Sequence, residues 1–125
     1  MSYVREDIEQ MQGYQPGFQP DEPGFIKLNT NENPYPPSPR AIEAMQAACE
    51  DGIRKYPDSL GQPFRTKASE VLGVRPECII CGFGSDDILT ICVRTFCNQN
   101  DTIAFPYPTY SLYETLANIQ GVKTV

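Results

Sequence analysis

The chain has 125 residues, with 10 Lys plus Arg against 16 Asp plus Glu, a formal charge of −6, and neither His nor Trp. This acidic balance argues against nucleic acid and against an anionic membrane surface, both of which require a basic face. The absence of His removes Ser-His-Asp triads, Cys-His dyads and His-ligated metals, leaving acid–base work to Asp, Glu, Lys, Tyr or Cys.

The first ten residues carry Arg5, Glu6, Asp7 and Glu9 and contain no apolar core of a secretory signal. No run approaches 18 apolar residues, so no membrane span is expected. Five Cys, an odd number, without such a signal suit a reduced, cytoplasmic protein. Proline then dominates: seven of the 12 fall between Pro16 and Pro39, which rules out a regular helix or central strand there. A linker is one reading. Phe18, Phe25, Ile26 and Leu28 favour instead an extended arm lying on a surface, such as that of another subunit.

Regular patterning starts at Ser38. Ser38-Pro39 is an N-cap followed by Pro at the first helical position. Ala41, Ile42, Met45, Ala48 and Cys49 recur at helical spacing until Gly52. A second helix is expected over Pro63–Leu72, stopped by Gly73. Cys78-Ile-Ile-Cys81 has the spacing of a redox pair, but reads as a short buried strand whose i and i+3 residues face opposite sides, making its cysteines structural. A helix follows over Ser85–Phe96, then a strand over Thr102–Phe105, a helix over Thr109–Ile119 and a strand over Val122–Val125. Strands alternating with helices predict βαβ units and a parallel sheet. The sheet must be covered on both faces, so the chain reads as the opening of a longer α/β fold: an incomplete three-layer αβα sheet. The division expected is a helix and Pro-rich arm over residues 1–37 and the start of a large α/β domain over 38–125.

Four short motifs could carry chemistry. Gly82-Phe-Gly-Ser-Asp-Asp87 joins a strand to a helix, where glycines admit a ligand and the first helical N–H groups are unpaired donors at the positive dipole end. It is neither the dinucleotide fingerprint, since Asp87 stands at the third glycine position, nor a P-loop. Ser85, Asp86 and Asp87 serve equally well as a cap with no ligand. Pro106-Tyr-Pro-Thr-Tyr110 also lies at the C-terminal end of a strand, where open α/β sheets bind ligands. Its aromatic could stack on a planar ring or simply pack on its own helix. Asn29–Pro34 and Tyr56-Pro57-Asp58 are turn signals on their own.

Taken together, Leu28-Asn-Thr-Asn-Glu-Asn-Pro-Tyr-Pro36, Lys55-Tyr-Pro-Asp58, Gly82–Asp87 and Pro106–Tyr110 resemble the N-terminal part of the fold-type I pyridoxal-phosphate aminotransferases, over about Met11–Val125. The resemblance is strongest to the branch that exchanges the amino group of histidinol phosphate with 2-oxoglutarate in histidine biosynthesis. It implies a pyridoxal 5′-phosphate cofactor and a homodimer. Gly84, Ser85 and Asp86 would bind the cofactor phosphate, largely through backbone N–H groups, and Tyr110 would stack on its ring. Tyr56 would reach the phosphate held by the other subunit, and Tyr14, Asn31 and Asn33 would lie near the substrate. Members of the family are much longer, and none of Lys27, Lys55, Lys67 and Lys123 matches the context of the cofactor-bearing lysine. No catalytic residue is therefore assigned within this chain, and no turnover is expected of it alone. Two other readings stay open: a non-catalytic binding or interaction module, and a related enzyme, either an aromatic aminotransferase or a threonine-phosphate decarboxylase.

Overall fold

The computed structural model describes residues 2–13 and 16–125. Their elements, in chain order, are α1 (Glu6–Glu9), α2 (Pro39–Asp51), α3 (Gln62–Leu72), a 3-10 turn (Pro76–Cys78), α4 (Ser85–Phe96), β1 (Thr102–Ile103), α5 (Leu112–Gln120) and β2 (Lys123–Thr124). Contacts divide the chain into two units, one formed by its first residues together with Gln62–Val125 and the other by Gln15–Gly61.

Among the described residues of the 15–61 unit the one helix is α2. Ser38 lies in the extended region and its Oγ accepts the Ala41 N–H at 3.2 Å, with Pro39 next in the chain. Gly52 ends the helix by donating its N–H to the Ala48 carbonyl. Local chemistry at 38, 39 and 52 thus sets both ends as expected.

The other unit is organised around β1–α5–β2. The strands are parallel, with Thr102 opposite Lys123 and Ile103 opposite Thr124. Pairing extends beyond the formal strands through Lys123 N–H to Asp101 O, Val125 N–H to Ile103 O and Phe105 N–H to Val125 O. The crossover helix α5 ends at Gly121, which adopts φ 73° and ψ 31°. This left-handed residue lets the Val122 N–H reach the Ala117 carbonyl at 2.9 Å while its own N–H reaches that of Asn118 at 3.1 Å, a Schellman closure. The same turn brings Val122 onto the end of the helix. Leu116, Ala117 and Val122 form the buried apolar core of the described residues. α4 packs on α5, and the Gln120 side-chain amide donates to the Cys97 carbonyl. α1 meets the far end of α5, where the Arg5 guanidinium lies 3.5 Å from the Ile119 carbonyl, a cation at a helix C-terminus.

Three expectations need correction. Cys78–Cys81 forms no strand: Pro76 starts a 3-10 turn that takes in Cys78, its Pro76 carbonyl held by Arg65 at 2.7 and 3.0 Å. Ile79 is extended (φ −114°, ψ 125°) but enters no sheet. A strand exists only where a second backbone offers a ladder, and an apolar run cannot supply one by itself. For the same reason Cys78 and Cys81 are exposed rather than buried. The helix expected from Thr109 begins at Leu112. Pro106 and Pro108 withdraw two donors, and the Tyr113 N–H closes a turn on the Tyr110 carbonyl first.

The architecture is therefore α/β with a two-stranded parallel sheet, rather than three strands between two helical layers. The apolar face of α3 stands open, with Phe64, Val71 and Leu72 exposed.

Candidate functional site

Two of the sequence motifs converge in the 62–125 unit. Gly82–Asp87 leads into α4, and Pro106–Tyr110 leaves β1 and leads towards α5. The site therefore sits past the C-terminal end of a parallel strand, at the start of a helix.

Backbone conformation decides what the first turn of α4 can do. Gly84 is its N-cap, at φ 87° and ψ −175°, and provides no capping side chain. Among the described residues nothing accepts the N–H groups of Ser85 or Asp86. They are the donors that a helix start leaves over, and they coincide with the positive end of the helix dipole. α2 differs in this respect, because Ser38 caps it.

Two carboxylates border this turn, and neither is spent on capping it. Asp87 reaches back four residues to accept the Phe83 N–H at 3.1 Å. That path crosses Gly82 so closely that a Cβ there would stand 2.4 Å from Asp87 Oδ2 and 3.1 Å from Ile88 Cδ1. Asp86 accepts the Ser85 hydroxyl at 3.2 Å and the Tyr110 hydroxyl at 3.3 Å. The Tyr110 ring also meets Tyr113 edge-on, with centroids 6.0 Å apart and planes at 85°, and Tyr110 is 40% exposed. Sequence reasoning singled out Gly84, Ser85, Asp86 and Tyr110, and the fold brings these four together. It read Gly82 as a turn glycine and Asp87 as a cap or first-turn residue, and did not foresee the bond from the Phe83 N–H to Asp87 across Gly82. An acidic residue in the first turn, a common partner of N-terminal N–H groups, was the available signal.

The arrangement suits a phosphate-bearing planar molecule. Open N–H donors at a helix N-terminus bind phosphate without a basic side chain. Asp86 and Asp87 accept neighbouring hydroxyl and N–H groups and keep their negative charge, so the grip on an anion falls to the backbone donors. An aromatic ring is tied beside the donors. These features fit pyridoxal phosphate: Ser85 and Asp86 would hold its phosphate and Tyr110 would face its ring.

The remaining candidates belong to the 15–61 unit, apart from Tyr14, which lies outside the described residues. Tyr56 is fully exposed. Asn33 Oδ1 accepts the Tyr35 N–H at 3.0 Å, a local turn. Asn31 has φ 54° and Thr30, before it, φ 63°. A β-branched residue in that region is uncommon and costly, so Thr30, already within the Asn29–Pro34 cluster, is a strained position. The turn is held by Asn29, whose amide donates to the Phe18 carbonyl at 2.8 Å, and by the Lys27–Glu32 ion pair.

The hydrogen bond from Lys27 holds the Glu32 carboxyl below the usual carboxylate range, opposed by desolvation and helped by the ammonium charge. A depressed folded value contributes stability above the ordinary glutamate value of about 4.3, and this contribution is lost as pH falls through the depressed value. Glu32 is exposed and Lys27 half-buried, so the effect is small. A carboxyl-detected NMR titration is expected to place the Glu32 midpoint below that of the same residue in Lys27→Met. Equal midpoints would show that the pair does not persist in solution.

Comparison with known proteins adds three findings. Residues 23–125 match the family model for aminotransferase class I and II. Over 124 residues the chain is 48% identical to the histidinol-phosphate aminotransferase of Geotalea daltonii, and equally so to that of Syntrophotalea carbinolica. Each alignment covers 98% of this chain and 36% of the relative. The histidinol-phosphate aminotransferase of Rhodopirellula baltica is 47% identical over 120 residues, 95% of this chain and 33% of its own length. The chain thus spans about a third of the length of the curated relatives it matches. No helix among the described residues is long and apolar enough to cross a membrane.

Proposed function

Because the chain belongs to the class I and II aminotransferase family, we propose that it forms the N-terminal part of a pyridoxal-phosphate-dependent histidinol-phosphate aminotransferase. The observation that carries this reading is the uncapped start of α4 beside Tyr110, in a chain whose relatives bear that enzyme's name. The cofactor, when bound, supplies the carbonyl and electron sink for moving an amino group from histidinol phosphate to 2-oxoglutarate.

The residues of this chain have binding and orienting roles. Backbone N–H groups of the Gly84–Asp86 turn grip the phosphate, and Tyr110 covers the ring. Tyr56 reaches the phosphate of the partner subunit in a homodimer, and Tyr14, Asn31 and Asn33 contact the substrate. Lys27 is engaged with Gln19 and Glu32, and Lys67 with Glu70; no lysine of this chain is given the cofactor-bearing role. Residues 1–37 act as an arm and 38–125 open the cofactor-binding domain, which completes a three-layer αβα sheet in a cytoplasmic enzyme.

A chimera tests the function. This chain would replace the aligned 124 residues of the Geotalea daltonii relative. Amino transfer from histidinol phosphate to 2-oxoglutarate is expected, and a folded chimera without it overturns the assignment. The phosphate grip has its own test. Proline is well tolerated at the first helical position, so Ser85→Pro deletes one donor while α4 persists. Pyridoxal phosphate affinity, measured by equilibrium dialysis, is expected to fall about tenfold or more, the worth of a hydrogen bond to a charged group. Ser85→Ala keeps the donor and is expected to stay near the parent value; equal losses in the two variants would exclude the backbone grip.

A further inference from the structure

The side chain of Asp86 has no role in gripping the phosphate, and its placement is unfavourable for an anion site: a carboxylate on the second residue of the very helix whose N-terminus would hold the anion. Nor is it spent as a cap: the N-cap of α4 is Gly84, and among the described residues the Asp86 carboxylate accepts only the Ser85 and Tyr110 hydroxyls. It joins two elements instead. Its Oδ1 accepts the hydroxyl of Tyr110, 24 residues further along the chain, at 3.3 Å, with Oδ2 at 3.5 Å. The same Oδ1 accepts the hydroxyl of Ser85 at 3.2 Å. The Tyr110 ring is thereby fixed at both ends, its hydroxyl by Asp86 and its edge by Tyr113.

We infer that Asp86 is a positioning residue: its carboxylate sets the Tyr110 ring relative to the N–H donors of the turn, so that phosphate grip and ring cover are held as one rigid unit. This rests on the proposed cofactor role of the turn and adds to it a function for a side chain. The physical advantage is preorganisation. A ring already held in place loses little freedom when a planar ligand arrives, and the tie offsets the repulsion that a carboxylate exerts on a nearby phosphate.

The test uses the full chain and two probes, pyridoxal 5′-phosphate and inorganic phosphate, with Asp86→Ala, Asp86→Asn, Tyr110→Phe and the double variant Asp86→Ala/Tyr110→Phe. Asp86→Ala and Tyr110→Phe are each expected to weaken pyridoxal phosphate by about three- to tenfold, the range of one hydrogen bond. The double variant should be no weaker than either single one, because both remove the same tie. Asp86→Asn, whose amide oxygen still accepts the phenol, should recover most of the loss. Affinity for inorganic phosphate should be unchanged or higher in both Asp86 variants, since no ring is involved and a negative charge has left. A role of Asp86 in helix stability alone would move both probes together and would not be rescued by Asn. Losses that multiply in the double variant, or Tyr110→Phe equal to the parent, overturn the inference. Should Asp86→Ala fail to fold, Tyr110→Phe still decides, since it removes one hydroxyl from a half-exposed ring. Failure of the parent chain to bind pyridoxal phosphate at all overturns the cofactor role itself, and the inference with it; binding with independent losses overturns the inference alone.

Discussion

Leu116→Ala is expected to open the β1–α5–β2 unit. Leu116, Ala117 and Val122 form its buried core, at 9%, 0% and 5% exposure, and few other apolar contacts are available to compensate. Truncating a buried leucine costs about 2–5 kcal/mol, through lost transfer energy and the cavity left behind. Whole domains hold only about 5–15 kcal/mol, and a unit with so small a core stands at or below the low end. The loss should therefore appear as collapse of local order. Amide exchange reads it directly: the Val122 N–H, bonded to Ala117 O at 2.9 Å, and the Val125 N–H, bonded to Ile103 O at 3.1 Å, should lose their protection together. Val71→Ala, on the exposed face of α3, is the control and should stay within about 0.5 kcal/mol of the parent. Unchanged protection in Leu116→Ala would mean that the unit is held by something other than this core.

Gly84→Ala is expected to damage the site most. At φ 87° and ψ −175°, Gly84 occupies a region that is essentially closed to residues with a Cβ, at about 1–3 kcal/mol of strain. A methyl group there would meet nothing within 4 Å, so crowding contributes nothing and the cost is purely conformational. The chain can bear that strain or turn the peptide between 84 and 85, and the second course re-aims the Ser85 N–H away from the phosphate position. Pyridoxal phosphate affinity should fall by about five- to 150-fold, the equivalent of that strain. Gly82→Ala should act differently. Its methyl group would press on Asp87 Oδ2, the end of a side chain that can swing aside only by releasing the Phe83 N–H. Cofactor affinity in Gly84→Ala equal to the parent, at unchanged helix content, would show that the turn does not need this conformation.

The two glycines illustrate how far sequence reaches. Both are legible as turn glycines between an apolar run and a helix. That one is required by its φ and the other by the approach of Asp87 is a fact of three dimensions. The helices tell the same story from the other side. α2 and α4 lie where sequence places them, because Ser38, Pro39, Gly52 and the apolar spacing of 88–96 act within a turn or two of themselves. Cys78–Cys81 misled, since its apolar character says nothing of whether another strand will lie beside it. The late start of α5 was equally hidden: propensity favours helix from Thr109, and the Tyr110–Tyr113 turn intervenes.

Local interactions and motifs readable in order set the ends of α2 and α4, the strand–helix–strand order of 102–125, the family resemblance, and the candidates Gly84, Ser85, Asp86 and Tyr110. Tertiary structure alone decided the register of Thr102 with Lys123, the exposure of Cys78 and Cys81, the choice of Leu116, Ala117 and Val122 as core, and the tie from Asp86 to Tyr110. Each of these depends on a partner that the path of the chain must deliver. A hydrogen-bond donor or an apolar face fixes what a residue needs; only the fold fixes which distant residue meets that need.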